Sequence, residues 1–139
     1  MKKMPQVGGR RGFWPGLLAA IVVVGVLARV APTGFRIFDK YLGDALYAAM
    51  VYVAFRLTGR IEHVAVWAAV AMTAIELFQL TGIAAGMFHS GSAAARICAR
   101  LLGTEFSFLD LLAYAAGIGC MAAVDRSDSH RANRVGQCP

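Results

Sequence analysis

The feature that most constrains the fold of this chain is a set of four apolar runs. They occupy roughly residues 13–31, 41–57, 64–83 and 107–124. Each run is long enough to cross about 30 Å of hydrocarbon, with little to spare. With 58% hydrophobic and only 16% charged residues, the chain is also too apolar for an ordinary soluble domain of 139 residues. The sequence therefore predicts an all-α integral membrane four-helix bundle within residues 1–125, followed by a polar tail at 126–139.

The distribution of Lys and Arg predicts the orientation of these spans. With both termini in the cytoplasm, nine basic residues lie inside and five lie outside, the latter being Arg29, Arg36, Lys40, Arg96 and Arg100. The positive-inside rule therefore favours both termini on the cytoplasmic side. We expect the first run to remain in the mature protein, because no A-x-A site precedes a plausible cleavage point.

The same composition argues against several other classes of protein. The net charge of +6 comes from residues that flank apolar runs, and these do not form the basic stripe with aromatic residues that a nucleic-acid site needs. The three cysteines and three histidines show no CxxC pair and no metal-ligand spacing. We therefore expect no nucleic-acid partner, no metal site and no cofactor. The bilayer is the one partner that the sequence predicts directly.

Ionisable residues inside the runs are the strongest functional signal. Glu76 and Gln79 lie one helical turn apart in the third run. An ionised carboxylate at mid-membrane depth costs about 2.5 to 3.5 kcal/mol on insertion scales. At 1.5 Å per residue, Glu76 lies about 10 Å below the outer boundary, and Asp44 and Asp110 lie at a depth on the order of 5 Å. Three spans are thus predicted to bring carboxylates to one level of the outer leaflet.

The residues around these acids predict close helix packing. Small or apolar residues share a helix face with each acid: Ala48 and Val51 with Asp44; Ala65, Ala69 and Met72 with Glu76; Ala113 and Gly117 with Asp110. Small residues let membrane helices approach closely, so these faces are predicted to point inward. Tyr47 and Tyr114, one turn from Asp44 and Asp110, add hydroxyl groups at the same level.

Three carboxylates at low dielectric require a bound proton or nearby cations. Arg29 and Arg36 lie near the end of the first span, and Arg96 and Arg100 lie in "SAAARICARLLG", which predicts a short interfacial helix between the third and fourth spans. The candidate ligand-binding residues are Asp44, Tyr47, Glu76, Gln79, Arg96, Arg100, Asp110 and Tyr114. Which of the two later arginines joins the site is left open. The alternative is that the polar residues only fix helix register by hydrogen bonding.

Three segments give the chain a family resemblance: "GDALYAAMVY" at 43–52, "ELFQL" at 76–80 and "LLGTEFSFLDLLAYAAGIG" at 101–119. They resemble a bacterial membrane family known as domain of unknown function twenty-eight-oh-nine, and its pattern is similar to that of the VanZ-like proteins, named for a teicoplanin-resistance protein. The resemblance implies a bacterial plasma-membrane location and no established activity. It marks as family positions Gly43, Asp44, Glu76, Gln79, Gly103, Asp110, Tyr114 and Gly117, of which Gly43, Gly103 and Gly117 join Ala113 as packing candidates.

Four functions fit these residues. The favoured one is an envelope protein whose outward-facing pocket binds a lipid headgroup or an amphiphile. An enzyme acting on a phosphate-bearing lipid, through its carboxylates or a divalent cation such as Mg²⁺, is the second. An ion path is disfavoured, because the inner halves of the spans lack ionisable residues. A purely structural or assembly role is the fourth, and the oligomeric state is left open.

Overall fold

The computed structural model describes residues 12–30, 34–59, 61–102 and 107–135. Within these residues the chain is entirely helical, which confirms the all-α prediction. The helices are α1 (Phe13–Val30), α2 (Arg36–Thr58), α3 (Val64–Leu80), α4 (Ile83–Phe88), α5 (Ala93–Leu102) and α6 (Phe108–Val135). Four of them cover the predicted apolar runs, and α5 corresponds to the predicted short helix.

Left-handed residues set two of the helix ends. Gly59 follows α2 at φ 63° and donates its backbone N–H to the carbonyl of Arg56. Gly82 follows α3 at φ 71°, a conformation that glycine adopts without steric cost. The third helix therefore stops at Leu80, before the predicted end at residue 83, and the chain continues as the separate helix α4. Thr81 supports this break, because its hydroxyl donates to the carbonyl of Phe78 at 2.6 Å.

Helix α2 is the centre of the packing, because it contacts α1, α3 and α6, while α3 also contacts α6. Helices α4 and α5 pack against each other beside the C-terminal end of α3. The buried apolar core is formed by Trp14 and Ile21 of α1; Ala48, Ala49, Tyr52 and Val53 of α2; Val64, Ala68 and Met72 of α3; and Tyr114 and Ile118 of α6.

Helix α6 extends well beyond the predicted end of its span at residue 124. It continues through Val135, so most of the predicted tail is helical. The sequence explains the extension, since no glycine or proline occurs between Gly119 and the end of the helix. Ser127 stays within the helix by donating its hydroxyl to the carbonyl of Ala123 at 2.9 Å.

By length and apolar composition, one helix in the described residues can cross a membrane, and it comprises Phe108–His130 of α6. Two shorter apolar helices cover Phe13–Ala28 and Val64–Leu80. Helix α2 is long enough, but Asp39, Lys40, Asp44 and Arg56 make it less apolar. The described helices therefore establish one candidate membrane span.

Candidate functional site

The acids of the site are carried by three helices that meet at one end of the packed core. On α3 the buried face consists of Val64, Ala68, Met72, Glu76 and Gln79. The sequence had placed Ala65 and Ala69 on this face, but Ala65 is half-buried and Ala69 is exposed. The correction follows from helix geometry, since a four-residue step from Glu76 leads through Met72 to Ala68.

Glu76 lies at the centre of the site and is only 1% exposed. The Tyr114 hydroxyl of α6 donates to its Oε1 atom at 2.5 Å. Its other oxygen, Oε2, is buried and has no hydrogen-bond partner among the described residues. A buried acceptor without a donor is uncommon in folded proteins, so this atom requires an explanation.

Asp110, at the start of α6, pairs with a cation that the sequence reasoning did not select. Lys40 of α2 places its Nζ 3.2 Å from Oδ1 of Asp110, and the two side chains are 46% and 4% exposed. The ion pair with Asp110 and the nearby charge of Asp44 favour the protonated form of Lys40. Lys40 is therefore a protonated side chain that covers a buried carboxylate.

The three carboxylates belong to one electrostatic cluster. Asp44 and Asp110 lie close enough to act both on the Lys40 ammonium and on the Tyr114 hydroxyl, which also bonds Glu76. We refer to Asp44, Glu76, Asp110, Lys40 and Tyr114 as the acidic cluster. The structure thus brings together residues from α2, α3 and α6 that are far apart in sequence.

The other predicted polar residues differ in where they lie. Gln79 is buried on the same face of α3 as Glu76, one turn further along. Tyr47 is half-buried and packs against the apolar core. Within the short helix α5, Arg96 is exposed and donates to the backbone carbonyls of Ser90 and Gly91, at 3.1 and 3.3 Å. Arg96 therefore stabilises the loop before α5.

Two further predicted residues fall where the structure gives no description. Gly103 lies outside the described residues, and so does the side chain of Arg100, although its backbone belongs to α5. Whether Arg100 reaches the acidic cluster stays a prediction.

The packing candidates differ in how closely helices approach them. A Cβ atom added to Gly117 would lie 2.1 Å from the backbone oxygen of Ala45, so α6 contacts the backbone of α2 directly. Ala113, one turn earlier on α6, is 9% exposed. Gly43 is different, because a Cβ atom there would meet nothing within 4 Å. Close approach between α2 and α6 thus occurs at Gly117, near the middle of the interface.

A second polar cluster, which the sequence reasoning missed, lies at the opposite end of the core. Arg56 of α2 donates from Nε to both carboxylate oxygens of Asp125 on α6, at 3.0 and 3.1 Å. The Tyr52 hydroxyl donates to the same carboxylate at 3.1 Å. The guanidinium also lies 5.3 Å from the centre of the Trp14 ring, a favourable cation–π distance. Trp14, Tyr52, Arg56 and Asp125, the inner cluster, join α1, α2 and α6.

The sequence contained a signal for both missed contacts. Lys40 lies one helical turn before Asp44, and Tyr52 lies one turn before Arg56. These spacings place both cations on the stripe of α2 that also carries Asp44 and the buried Ala48 and Tyr52, but they do not identify the partner of each cation on α6. The sequence reasoning had used Lys40 and Arg56 only as markers of orientation.

In the described part of the chain, no group of three or more His, Cys, Asp or Glu side chains is placed to hold a metal ion. The cluster offers carboxylate acceptors, the Tyr114 hydroxyl and the Lys40–Asp110 ion pair.

Comparison with known proteins gives one family match. Residues 34–118 match a protein family described as "Protein of unknown function (DUF2809)". The match spans more than half of the chain and includes every residue of the acidic cluster. No curated protein and no solved structure matches significantly. The more distant resemblance to VanZ-like proteins stays a prediction.

Proposed function

The chain belongs to the DUF2809 family of proteins of unknown function, and from that premise we propose that it is a multi-pass protein of the bacterial inner membrane. In this proposal, α1, α2, α3 and α6 are four spans of one bundle, with both termini in the cytoplasm. The acidic cluster lies in the outer half of the bundle and binds the headgroup of a lipid or of another envelope amphiphile.

Exposed apolar side chains support the multi-pass arrangement. The most exposed of them on the long helices are Val23, Val26, Leu27 and Val30 of α1; Val66, Trp67, Leu77 and Leu80 of α3; and Phe108, Leu109 and Leu112 of α6. A soluble monomer rarely exposes a large contiguous apolar surface. Lipid chains would cover these residues on three of the four proposed spans.

The charges of α2 are compatible with a membrane position because two of its cations pair with acids on α6. The Lys40–Asp110 and Arg56–Asp125 pairs are separated by about 23 Å along the helices, at 1.5 Å per residue. This separation is somewhat less than the roughly 30 Å of hydrocarbon. Each pair thus lies towards one membrane surface, where the cost of desolvating charged groups is lower.

The order of these pairs also agrees with the proposed topology. From Lys40 to Arg56 on α2 and from Asp110 to Asp125 on α6, the chain runs in the same direction, so the two helices are parallel. A second and a fourth span must be parallel in a four-span bundle. With the termini in the cytoplasm, Lys40 and Asp110 lie towards the outside, as the positive-inside count predicts.

The single observation that carries the binding role is the environment of Glu76. Its side chain is buried, one oxygen accepts from Tyr114, and the other has no partner among the described residues. Burying an acceptor without a donor costs roughly 1 to 3 kcal/mol. A ligand that donates a hydrogen bond to Oε2 offsets this cost. Ligand binding is therefore a physical reason for a buried glutamate at this position of a membrane helix.

Native mass spectrometry of the full-length protein tests this function. Wild type is expected to retain lipid through purification, and a Glu76→Gln, Asp110→Asn double variant is expected to retain much less. Asp125→Asn is the matched control, because it also removes an α6 carboxylate paired with α2, but at the far end of the bundle. Lipid occupancy that is the same in wild type and the double variant would contradict the proposal and favour a purely structural role for the acids.

A further inference from the structure

We propose, building on the binding role above, that the ligand of the acidic cluster carries a primary ammonium group. In the structure described here, the ammonium of Lys40 occupies the position on Asp110 that the ammonium of the ligand takes. Lys40 then competes with the ligand for Asp110, and it neutralises the Asp110 carboxylate while the ligand is absent.

The two partners in this ion pair have very different environments. Asp110 is buried, whereas almost half of the Lys40 side chain is exposed. A buried ionised carboxylate that loses its cation is strongly destabilising, so Asp110 stays charged only while a cation is paired with it. Lys40 has a flexible four-carbon stem and is well hydrated, so it leaves for solvent at little cost. A second ammonium can therefore replace it without leaving Asp110 unpaired.

The hydrogen-bonding capacity of the cluster also matches an ammonium group. A primary ammonium has three N–H donors. Asp110 accepts one of them in the place of Lys40, and Oε2 of Glu76 is a buried acceptor with no donor among the described residues. Glu76 accepts from the Tyr114 hydroxyl, and the charge of Asp110 acts on the same hydroxyl, so both acids lie near it. A group with several donors can serve both acids, whereas a group with one cannot.

Other ligand chemistries fit the described residues less well. Among the described residues, no group of three His, Cys, Asp or Glu side chains is placed to hold a metal ion. An anionic group would face the carboxylates, which repel it. Arg96, which the sequence predicted as a ligand-binding residue, donates to loop carbonyls. The positive group of the ligand therefore determines recognition at the acidic cluster.

Lipid titrations followed by native mass spectrometry test this inference on the full chain. The probes are phosphatidylethanolamine, which has a primary ammonium, and phosphatidylglycerol, which has no nitrogen. Wild type is expected to bind the first lipid about tenfold more tightly, the effect of one charge-assisted hydrogen bond. In Lys40→Gln the preference should rise further, because the competitor is gone. Adding Asp110→Asn to that variant should remove the gain.

Thermal unfolding gives a second measurement, which remains informative if Lys40→Gln is less stable than wild type. This variant leaves Asp110 without its cation, so its melting temperature is expected to fall. Phosphatidylethanolamine should restore the melting temperature by binding the folded state, and phosphatidylglycerol should not. Phosphoethanolamine, the same headgroup without acyl chains, distinguishes a lipid amine from a water-soluble amine. Equal rescue of the melting temperature by this compound would support amine recognition and would assign the ligand to water-soluble amines.

Two different results would overturn different statements. Equal binding and equal rescue by both lipids, with binding still lost in the Glu76→Gln, Asp110→Asn double variant, would refute the ammonium inference alone. Lipid binding that does not change in that double variant would refute the proposed function as well.

Discussion

Replacing Gly117 with alanine tests whether the direct contact between α2 and α6 holds the fold together. The added Cβ atom would lie 2.1 Å from the backbone oxygen of Ala45, whereas ordinary van der Waals contact begins at 3.4 Å. The helices must therefore separate by about 1.3 Å at this point. The long side chains of Lys40 and Arg56 can follow such a shift, so the cost falls mainly on the apolar packing between the helices. Overpacking of this kind costs about 1 to 3 kcal/mol.

Gly119, two residues along the same helix, is a matched control. A Cβ atom at this position meets nothing within 4 Å. Alanine here should increase stability by about 0.5 to 1 kcal/mol, since glycine is a poor helix former. Unfolding of both variants in detergent micelles, by heat or by titration with a denaturing detergent, measures the difference. The packing described for α2 and α6 is refuted if Gly117→Ala is as stable as Gly119→Ala.

Three further predictions address the two polar clusters and the topology. Asp125→Asn removes the ion pair with Arg56 and should lower the unfolding free energy by about 1 to 3 kcal/mol, while lipid retention at the other end stays unchanged. Tyr114→Phe removes the donor to Glu76 and should cost a similar amount, but with reduced lipid retention; unchanged retention would remove the hydroxyl from the site. Cys98 is exposed on α5, so in a variant without the other cysteines a membrane-impermeant maleimide should label it from outside the cell; labelling only after lysis would invert the topology.

The acids inside the apolar runs could be selected from the sequence, because a carboxylate within an apolar run requires a partner. Asp44, Glu76 and Asp110 were expected at one depth, since helix rise fixes depth once the span boundaries are known. The structure brings Asp44 and Asp110 near the Tyr114 hydroxyl, which donates to Glu76. Their common depth in a membrane stays a prediction.

Residues at the ends of the runs were predicted less well, because their partners depend on which helices are neighbours. Lys40 and Arg56 were interpreted as markers of orientation, but both pair with acids on α6. A sequence gives the depth of such residues without giving the lateral arrangement of the helices. Arg96 shows the same difficulty of predicting partners from sequence. It was expected near the acids, but it donates to a backbone carbonyl within its own loop.

The two ion pairs between α2 and α6 differ in the number of bonds that hold them. The Arg56–Asp125 pair fits a permanent structural contact, and the Lys40–Asp110 pair fits the proposed binding site. In the inner cluster, Arg56 bonds both oxygens of Asp125, packs on Trp14 and shares the carboxylate with Tyr52. Several bonds of this kind, formed by a rigid guanidinium, favour a permanent connection. At the other end, Asp110 is held by a flexible and half-exposed Lys40 through a single contact. The same pair of helices is therefore held by several bonds at the Asp125 end and by one flexible side chain at the Asp110 end, which fits the proposed binding of a ligand beside Glu76.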